Sequence, residues 1–261
     1  MSNTPATLIT GASSGIGEAM ARILATEKQP LVLVARRREK LEALAAELRQ
    51  AHGITVEVLS ADLEQVGSAT QLHAAVEALG LSVDTLINNA GFGINAEFAD
   101  MAADRVTAML QLNVLSLTEL THAVLPGMKT RGRGRILNVA SVAAFQPCPR
   151  FAEYGASKAY VLSFTEALAA EVAKDGIKVT AVCPGATRTE FHDVAGNYGV
   201  LATQLMDSAE DVARAGLQAL NRGQRTIVTG LLNKPLPFLV RLTPRRMVVW
   251  LAGLTVTPKK A

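Results

Sequence analysis

Ala6-Thr-Leu-Ile-Thr-Gly-Ala-Ser-Ser-Gly-Ile-Gly17 decides how this 261-residue chain folds. Residues 6–10 are short, apolar and β-branched, as a buried strand requires. A glycine-rich turn follows, and a helical pattern then runs to about Lys28. Downstream the alternation continues. Leu31-Val-Leu-Val-Ala35 is a continuous apolar run, the mark of a parallel strand covered on both faces. Residues 37–51 carry Leu41, Leu44, Ala45 and Leu48 at helical spacing with charges on the other side. Further strands are expected at 54–60, 83–88, 134–140, 177–183 and 225–229, with helices between them, the longest from about Ala152 to Lys174. Strand and helix in strict alternation imply parallel strands joined by right-handed crossovers. The expected fold is therefore α/β, a Rossmann-type doubly wound sheet of about seven strands with helices on both faces. Without repeats or linkers before residue 230, one domain is expected over 1–261, with 231–261 as a basic, apolar helical extension.

Composition excludes several alternatives. The chain is 49% hydrophobic and 19% charged, the opposite of a disordered segment. No apolar run approaches the roughly 20 residues of a spanning helix, and residues 1–5 do not begin a signal peptide. Cys148 and Cys183 form no CxxC, so two reduced, buried thiols and a cytoplasmic location are expected. His52, His73, His122 and His192 are isolated, and no metal site is expected. With 4% aromatic residues and no nucleic-acid-binding signature, no nucleic-acid partner is expected either.

The turn has the spacing G-x3-G-x-G through Gly11, Gly15 and Gly17, between a strand and a helix. There a diphosphate can approach the backbone with no Cβ in the way and meet the helix's free N–H groups. The end of the second strand then selects the cofactor. A carboxylate at that point would hold a ribose 2′-hydroxyl. This chain has Ala35 followed by Arg36, Arg37 and Arg38, and guanidinium groups pair with a 2′-phosphate. Cations at a helix start otherwise oppose its dipole. NADP(H) is expected over NAD(H).

Tyr154-Gly-Ala-Ser-Lys158 puts Tyr and Lys on one helical face. A tyrosine near its ordinary pKa of about 10 transfers protons poorly at neutrality. A neighbouring ammonium should lower that pKa. Ser141 ends the strand at 134–140, at the carboxyl edge where such sheets bind ligands.

With these residues in place, the sequence resembles the short-chain dehydrogenase/reductase family over nearly the whole chain to about residue 230. The resemblance rests on the turn at 10–17, Asp62 after the third strand, Asn88-Asn89-Ala90-Gly91 after the fourth, and Asn113. It also rests on Ser141, Tyr154, Lys158, and Pro184-Gly185 followed by Thr189. It implies hydride transfer between NADP(H) and a small-molecule carbonyl or alcohol. Tyr154 would be the general acid/base, Ser141 the oxygen-polarising group, and Lys158 the partner of both Tyr154 and the nicotinamide ribose. Asn113 would extend a proton relay through water. The expected cofactor contacts are Gly11, Ser13, Ser14, Gly15, Ile16, Gly17, Arg36, Arg37, Asp62, Leu63, Asn89, Ala90, Gly91, Tyr154, Lys158, Pro184, Gly185, Thr187 and Thr189. Asp62 and residues 89–91 would flank the adenine, and Thr189 the nicotinamide carboxamide. A homodimer or homotetramer is implied. A catalytically idle NADP sensor and a nicotinamide-dependent isomerase or dehydratase are the alternatives.

Phe92, Val142, Phe145, Phe191 and Tyr198 suggest an apolar substrate pocket, with residues 190–208 as a lid. From Val212 onward the chain has nine Lys/Arg and no Asp or Glu. That tail reads as two short helices, 233–242 and 244–252, with Thr243 as N-cap and Gly253 as stop. Met247 to Leu251 are too apolar for an ordinary surface helix. Packing on a subunit or the active-site rim is expected ahead of peripheral membrane contact.

Overall fold

The computed structural model describes residues 4–191 and 206–255. Seven strands form one parallel sheet in the order β3-β2-β1-β4-β5-β6-β9. In chain order the first half consists of β1 (Thr4–Thr10), α1 (Gly15–Thr26), β2 (Leu31–Ala35), α2 (Arg38–His52), β3 (Val56–Ser60), α3 (Ser68–Ala78) and β4 (Leu81–Asn88). Then come α4 (Ala103–Leu110), a π-helical stretch Gln111–Ser116, α5 (Leu117–Arg131), β5 (Gly134–Val139), α6 (Ala152–Val172) and β6 (Ile177–Cys183). Two short strands, β7 (Thr187–Arg188) and β8 (Asp207–Ser208), pair with each other. The chain continues with α7 (Ala209–Arg222), β9 (Thr226–Val228), α8 (Leu236–Leu242) and α9 (Arg245–Thr255).

The core explains why the central strands read as unbroken apolar runs. Ile9, Leu33, Ile87 and Leu137 face a layer built with α1, α2 and α7. Their chain neighbours Leu8, Val32, Leu86 and Ile136 face the opposite layer, built with α3, α5 and α6. Side chains alternate across a strand, so a sheet covered on both sides needs apolar residues at every position. All seven expected strands are present, two with the expected ends and the others with ends shifted by one or two residues.

Strand order reverses between β1 and β4, both paired to neighbours in parallel register. At that switch point the loops after β1 and β4 diverge and open a crevice at the carboxyl edge of the sheet. Two sequence expectations change. The β7–β8 pair was not foreseen. Helix α9 also continues through Gly253 to Thr255, so that glycine lies within the helix rather than terminating it. Most of the expected lid (192–205), including Tyr198, lies outside the described residues, as do His192, Lys259 and Lys260.

Candidate active site

One cavity of about 600 Å³ follows the carboxyl edge of the sheet. It is lined by Gly11, Ser13, Ser14, Gly15, Ile16, Arg36, Arg37, Asp62, Leu63, Asn89, Ala90 and Gly91 at one end. Ser141, Tyr154, Lys158, Pro184, Gly185, Thr187 and Thr189 line the other. Of the expected catalytic and cofactor-binding residues, Gly17 and Asn113 stand back from it.

The glycine turn is locked from behind. The Asn89 side chain donates to the carbonyls of Thr10 and Gly11 at 3.0 and 3.1 Å, while Thr10 Oγ1 accepts from the N–H groups of Asn89 and Ala90. Gly17 completes the closure. A Cβ there would lie 2.4 Å from the Gly11 carbonyl oxygen and 2.5 Å from the Asn89 amide nitrogen. Gly17 therefore sets how closely helix and turn pack, and Asn89 serves the turn with its side chain while also lining the cavity.

These residues fit a dinucleotide. Ser14 is the N-cap of α1 but makes no side-chain cap bond, so the first N–H groups of that helix are left for an anion. Gly11 and Gly15, at φ +65° and +59°, adopt a backbone that only glycine enters without strain.

Around the second strand end the arginines divide their work. Arg36 pairs with the Glu64 carboxylate at 2.6 Å and approaches Asp62 at 4.0 Å. Arg37 turns the other way, donating to Ser13 Oγ at 2.9 Å, Ser14 Oγ at 2.9 Å and Glu190 at 2.6 Å. Lys40 meets the same Glu190 carboxylate at 2.6 Å. The bonds from Lys40 and Arg37 hold the Glu190 carboxyl down at about 2. Glu190 thus occupies a cluster of cations and hydroxyls suited to a phosphate. Sequence reasoning missed Glu190 and Lys40, which lie far from their partners along the chain. It also missed Glu64 and Arg105, which form an ion pair at 3.0 Å while Arg105 covers the Phe92 ring at 4.5 Å.

At the other end, Tyr154 and Lys158 project from the first turns of α6. Ser141 follows β5 and caps a 3₁₀ turn, accepting from the Ala143 N–H at 3.1 Å. Lys158 Nζ donates to the Val139 carbonyl at 2.8 Å and lies 5.7 Å from the Tyr154 ring centre. Burial moves both groups. It pushes Tyr154 up to about 12, against a hydrogen bond with Ser141 that acts downward. It pulls Lys158 down to about 8. The expected lowering of Tyr154 by the ammonium is not observed: desolvation dominates, and the phenol stays protonated through neutrality.

Asn113 sits in the π-helical stretch, buried behind the cavity. Its amide accepts from the Phe92 N–H at 3.1 Å and donates to the Phe92 carbonyl at 2.9 Å and to Ser157 Oγ at 3.1 Å. No cavity contact comes from it directly. Thr189 lies over Gly15, whose added Cβ would come within 2.9 Å of the threonine methyl. Phe92, Val142, Phe151, Phe191 and Cys148 line the substrate end. Phe145 instead packs into the core with Val161 and Leu162. Both cysteines are free and buried. Among the described residues no cluster of three or more His, Cys, Asp or Glu side chains could hold a metal ion.

This fold and cleft define a nicotinamide-dependent oxidoreductase scaffold, and comparison with known proteins identifies the family. Residues 5–197 match the short chain dehydrogenase family model, and the chain belongs to that family. The very-long-chain 3-oxoacyl-CoA reductase of Anas platyrhynchos is 34% identical over 196 residues, covering 72% of this chain and 61% of that protein. The chain thus spans less than two thirds of that relative. A short-chain dehydrogenase from Sphingobium yanoikuyae, solved in complex with NADPH, is 35% identical with a TM-score of 0.81, over 92% of this chain and 96% of that one. The bulky-bulky ketone specific alcohol dehydrogenase of Comamonas testosteroni is 31% identical with a TM-score of 0.77, over 93% and 96%.

Proposed function

We propose that this oxidoreductase uses NADP(H) to interconvert a carbonyl and an alcohol on an apolar small molecule. The observation that carries the reading is the convergence of Ser141, Tyr154 and Lys158 in the same cleft as the glycine turn and Arg37. Bound NADP(H) supplies or accepts the hydride at its nicotinamide. Ser141 donates a hydrogen bond to the substrate oxygen and holds it beside Tyr154. The Tyr154 phenol, protonated at neutral pH because it is buried, gives its proton to that oxygen as negative charge develops there. In oxidation the same group, as phenolate, takes the proton from the substrate alcohol. Lys158, still mostly cationic below its pKa of about 8, supports the phenolate left behind. Asn113 positions the Gly91–Phe92 backbone and Ser157, next to Lys158, and any relay from Lys158 to Asn113 runs through water.

Arg37 with Ser13, Ser14 and Lys40 would hold the 2′-phosphate. Asp62 and Leu63, with Ala90 and Gly91, would border the adenine, and Pro184, Gly185, Thr187 and Thr189 the nicotinamide half. The aromatic lining and the printed specificities of the two named relatives, a very-long-chain 3-oxoacyl-CoA and a bulky-bulky ketone, support a large apolar substrate. A homo-oligomer is supported by Leu115 and Tyr160, exposed large side chains near the Thr118–Tyr160 hydrogen bond. The buried free cysteines support a reducing, cytoplasmic setting. A panel of aldehydes, ketones and alcohols followed by NADPH absorbance tests the reading. Turnover of bulky ketones is expected, and no turnover of any carbonyl or alcohol with either cofactor would overturn it.

A further inference from the structure

Helices α8 and α9 leave a large apolar surface uncovered. Val248 and Ala252 are buried against the body of the protein, Gly253 packs on Pro149, and α8 lies on the turn at 142–145. The remaining apolar side chains point outward. Met247, Trp250, Leu251 and Leu254 stand at i, i+3, i+4 and i+7, one continuous stripe of α9, and Trp250 is 64% exposed. Phe238 and Leu242 of α8 are 64% and 67% exposed.

The charge of this surface limits its occupant. Arg241 lies in α8 and Arg245 and Arg246 in α9, and Lys234 lies in the turn just before α8. The sequence has no Asp or Glu after residue 211, and among the described residues the last ion pair along the chain, Arg214–Glu210, lies upstream. A second copy docking face to face would place the same four cations opposite each other, because a two-fold interface presents one patch to itself. A surface of negative charge over hydrocarbon satisfies both features. Exposed Trp, Phe and Leu beside arginines are the composition of helices that lie in a bilayer interface. Among the described residues no helix is long and apolar enough to cross a membrane, so the contact is peripheral.

We propose that α8 and α9 form a docking surface for an anionic lipid bilayer. The turn at 142–145 that supports α8 follows Ser141 and supplies Val142 and Ala143 to the cavity wall. Docking would therefore set the substrate end of the cleft close to the lipid, the phase in which a bulky apolar ketone dissolves. That consequence for substrate entry rests on the oxidoreductase reading, whereas vesicle binding does not. Loss of turnover with vesicle binding intact would overturn only the consequence.

Trp250 is the only tryptophan in the chain, so its emission reports this face alone. The full-length protein is mixed with vesicles of phosphatidylcholine, or of phosphatidylcholine with phosphatidylserine, and followed by Trp250 fluorescence and co-sedimentation. A blue shift and sedimentation are expected with the anionic vesicles, both reversed by salt. The R241Q/R245Q/R246Q variant, checked for folding by its NADPH binding, should lose about a hundredfold in vesicle affinity, at about fivefold per cation removed. A milder F238S/M247S variant should weaken binding to the same vesicles. Equal binding to neutral and anionic vesicles, or none to either, would overturn the proposal. So would a dimer, measured by light scattering, that the F238S/M247S change dissolves while Trp250 ignores lipid.

Discussion

Replacing Arg37 with alanine separates cofactor selectivity from cofactor binding. Without a cofactor, Arg37 bonds Ser13, Ser14 and Glu190. A 2′-phosphate at this cluster would take over the guanidinium, gaining charge-assisted bonds of about 1.5–3 kcal/mol. The Glu190 pair is nearly half exposed on both sides, so its loss offsets only about 0–1 kcal/mol. The net gain of roughly 0.5–3 kcal/mol corresponds to about 2- to 160-fold in affinity. Arg37→Ala should therefore weaken NADPH by that factor and leave NADH unchanged, measured by calorimetric titration of both cofactors. Glu190→Gln should do the reverse, because a competing carboxylate is removed, and tighten NADPH by about two- to fivefold. Equal weakening of both cofactors by Arg37→Ala, or looser NADPH binding in Glu190→Gln, would refute the assignment of this cluster to the 2′-phosphate.

Two further outcomes follow from the buried groups. Lys158 is a cation below its lowered pKa of about 8 and neutral above it, whereas Tyr154 keeps its proton up to about 12. The kcat/KM for carbonyl reduction should hold level below pH 8 and fall by about tenfold per pH unit well above it; a profile flat beyond that range would remove Lys158 from the reaction. Gly17→Ala drives a Cβ into the Gly11 carbonyl and the Asn89 amide, overpacking worth about 1–3 kcal/mol. Its Tm should drop by roughly 2–10 °C, and an unchanged Tm would mean the turn is not held as described.

The strands were legible because burial on both faces writes itself as unbroken apolar runs, seen in Leu31–Ala35 and Ile177–Cys183. The glycine turn was legible because close backbone approach admits no other residue at Gly11 and Gly17. Local spacing also placed Tyr154 and Lys158 on one face. Their protonation was not readable in that spacing, since desolvation comes from the surrounding fold and outweighs the expected ammonium effect. The Arg37–Glu190 contact joins residues 153 apart in sequence, beyond the reach of any local pattern. Asn113 is held by Phe92 and Ser157 in a π-helical stretch that periodicity reads as ordinary helix. Gly253 looked like a helix stop, but α9 runs on to Thr255, and a Cβ at that position would meet Pro149 only at an ordinary contact distance of 3.6 Å. The tail was expected to pack on a subunit or on the active-site rim. Helix α8 does lie on the turn at 142–145 beside the cavity, and the apolar stripe left exposed on α9 is the basis of the lipid proposal.

The central claim is that Tyr154 moves the proton while the rest of the cleft only binds and positions. Its most direct test is Tyr154→Phe, assayed for NADPH affinity and for single-turnover reduction of a bulky ketone that the parent protein reduces. The account predicts unchanged NADPH affinity and a turnover rate lower by about 10²- to 10⁴-fold, the usual cost of losing a positioned general acid. A phenylalanine variant that reduces the ketone within a few-fold of the parent rate would contradict it.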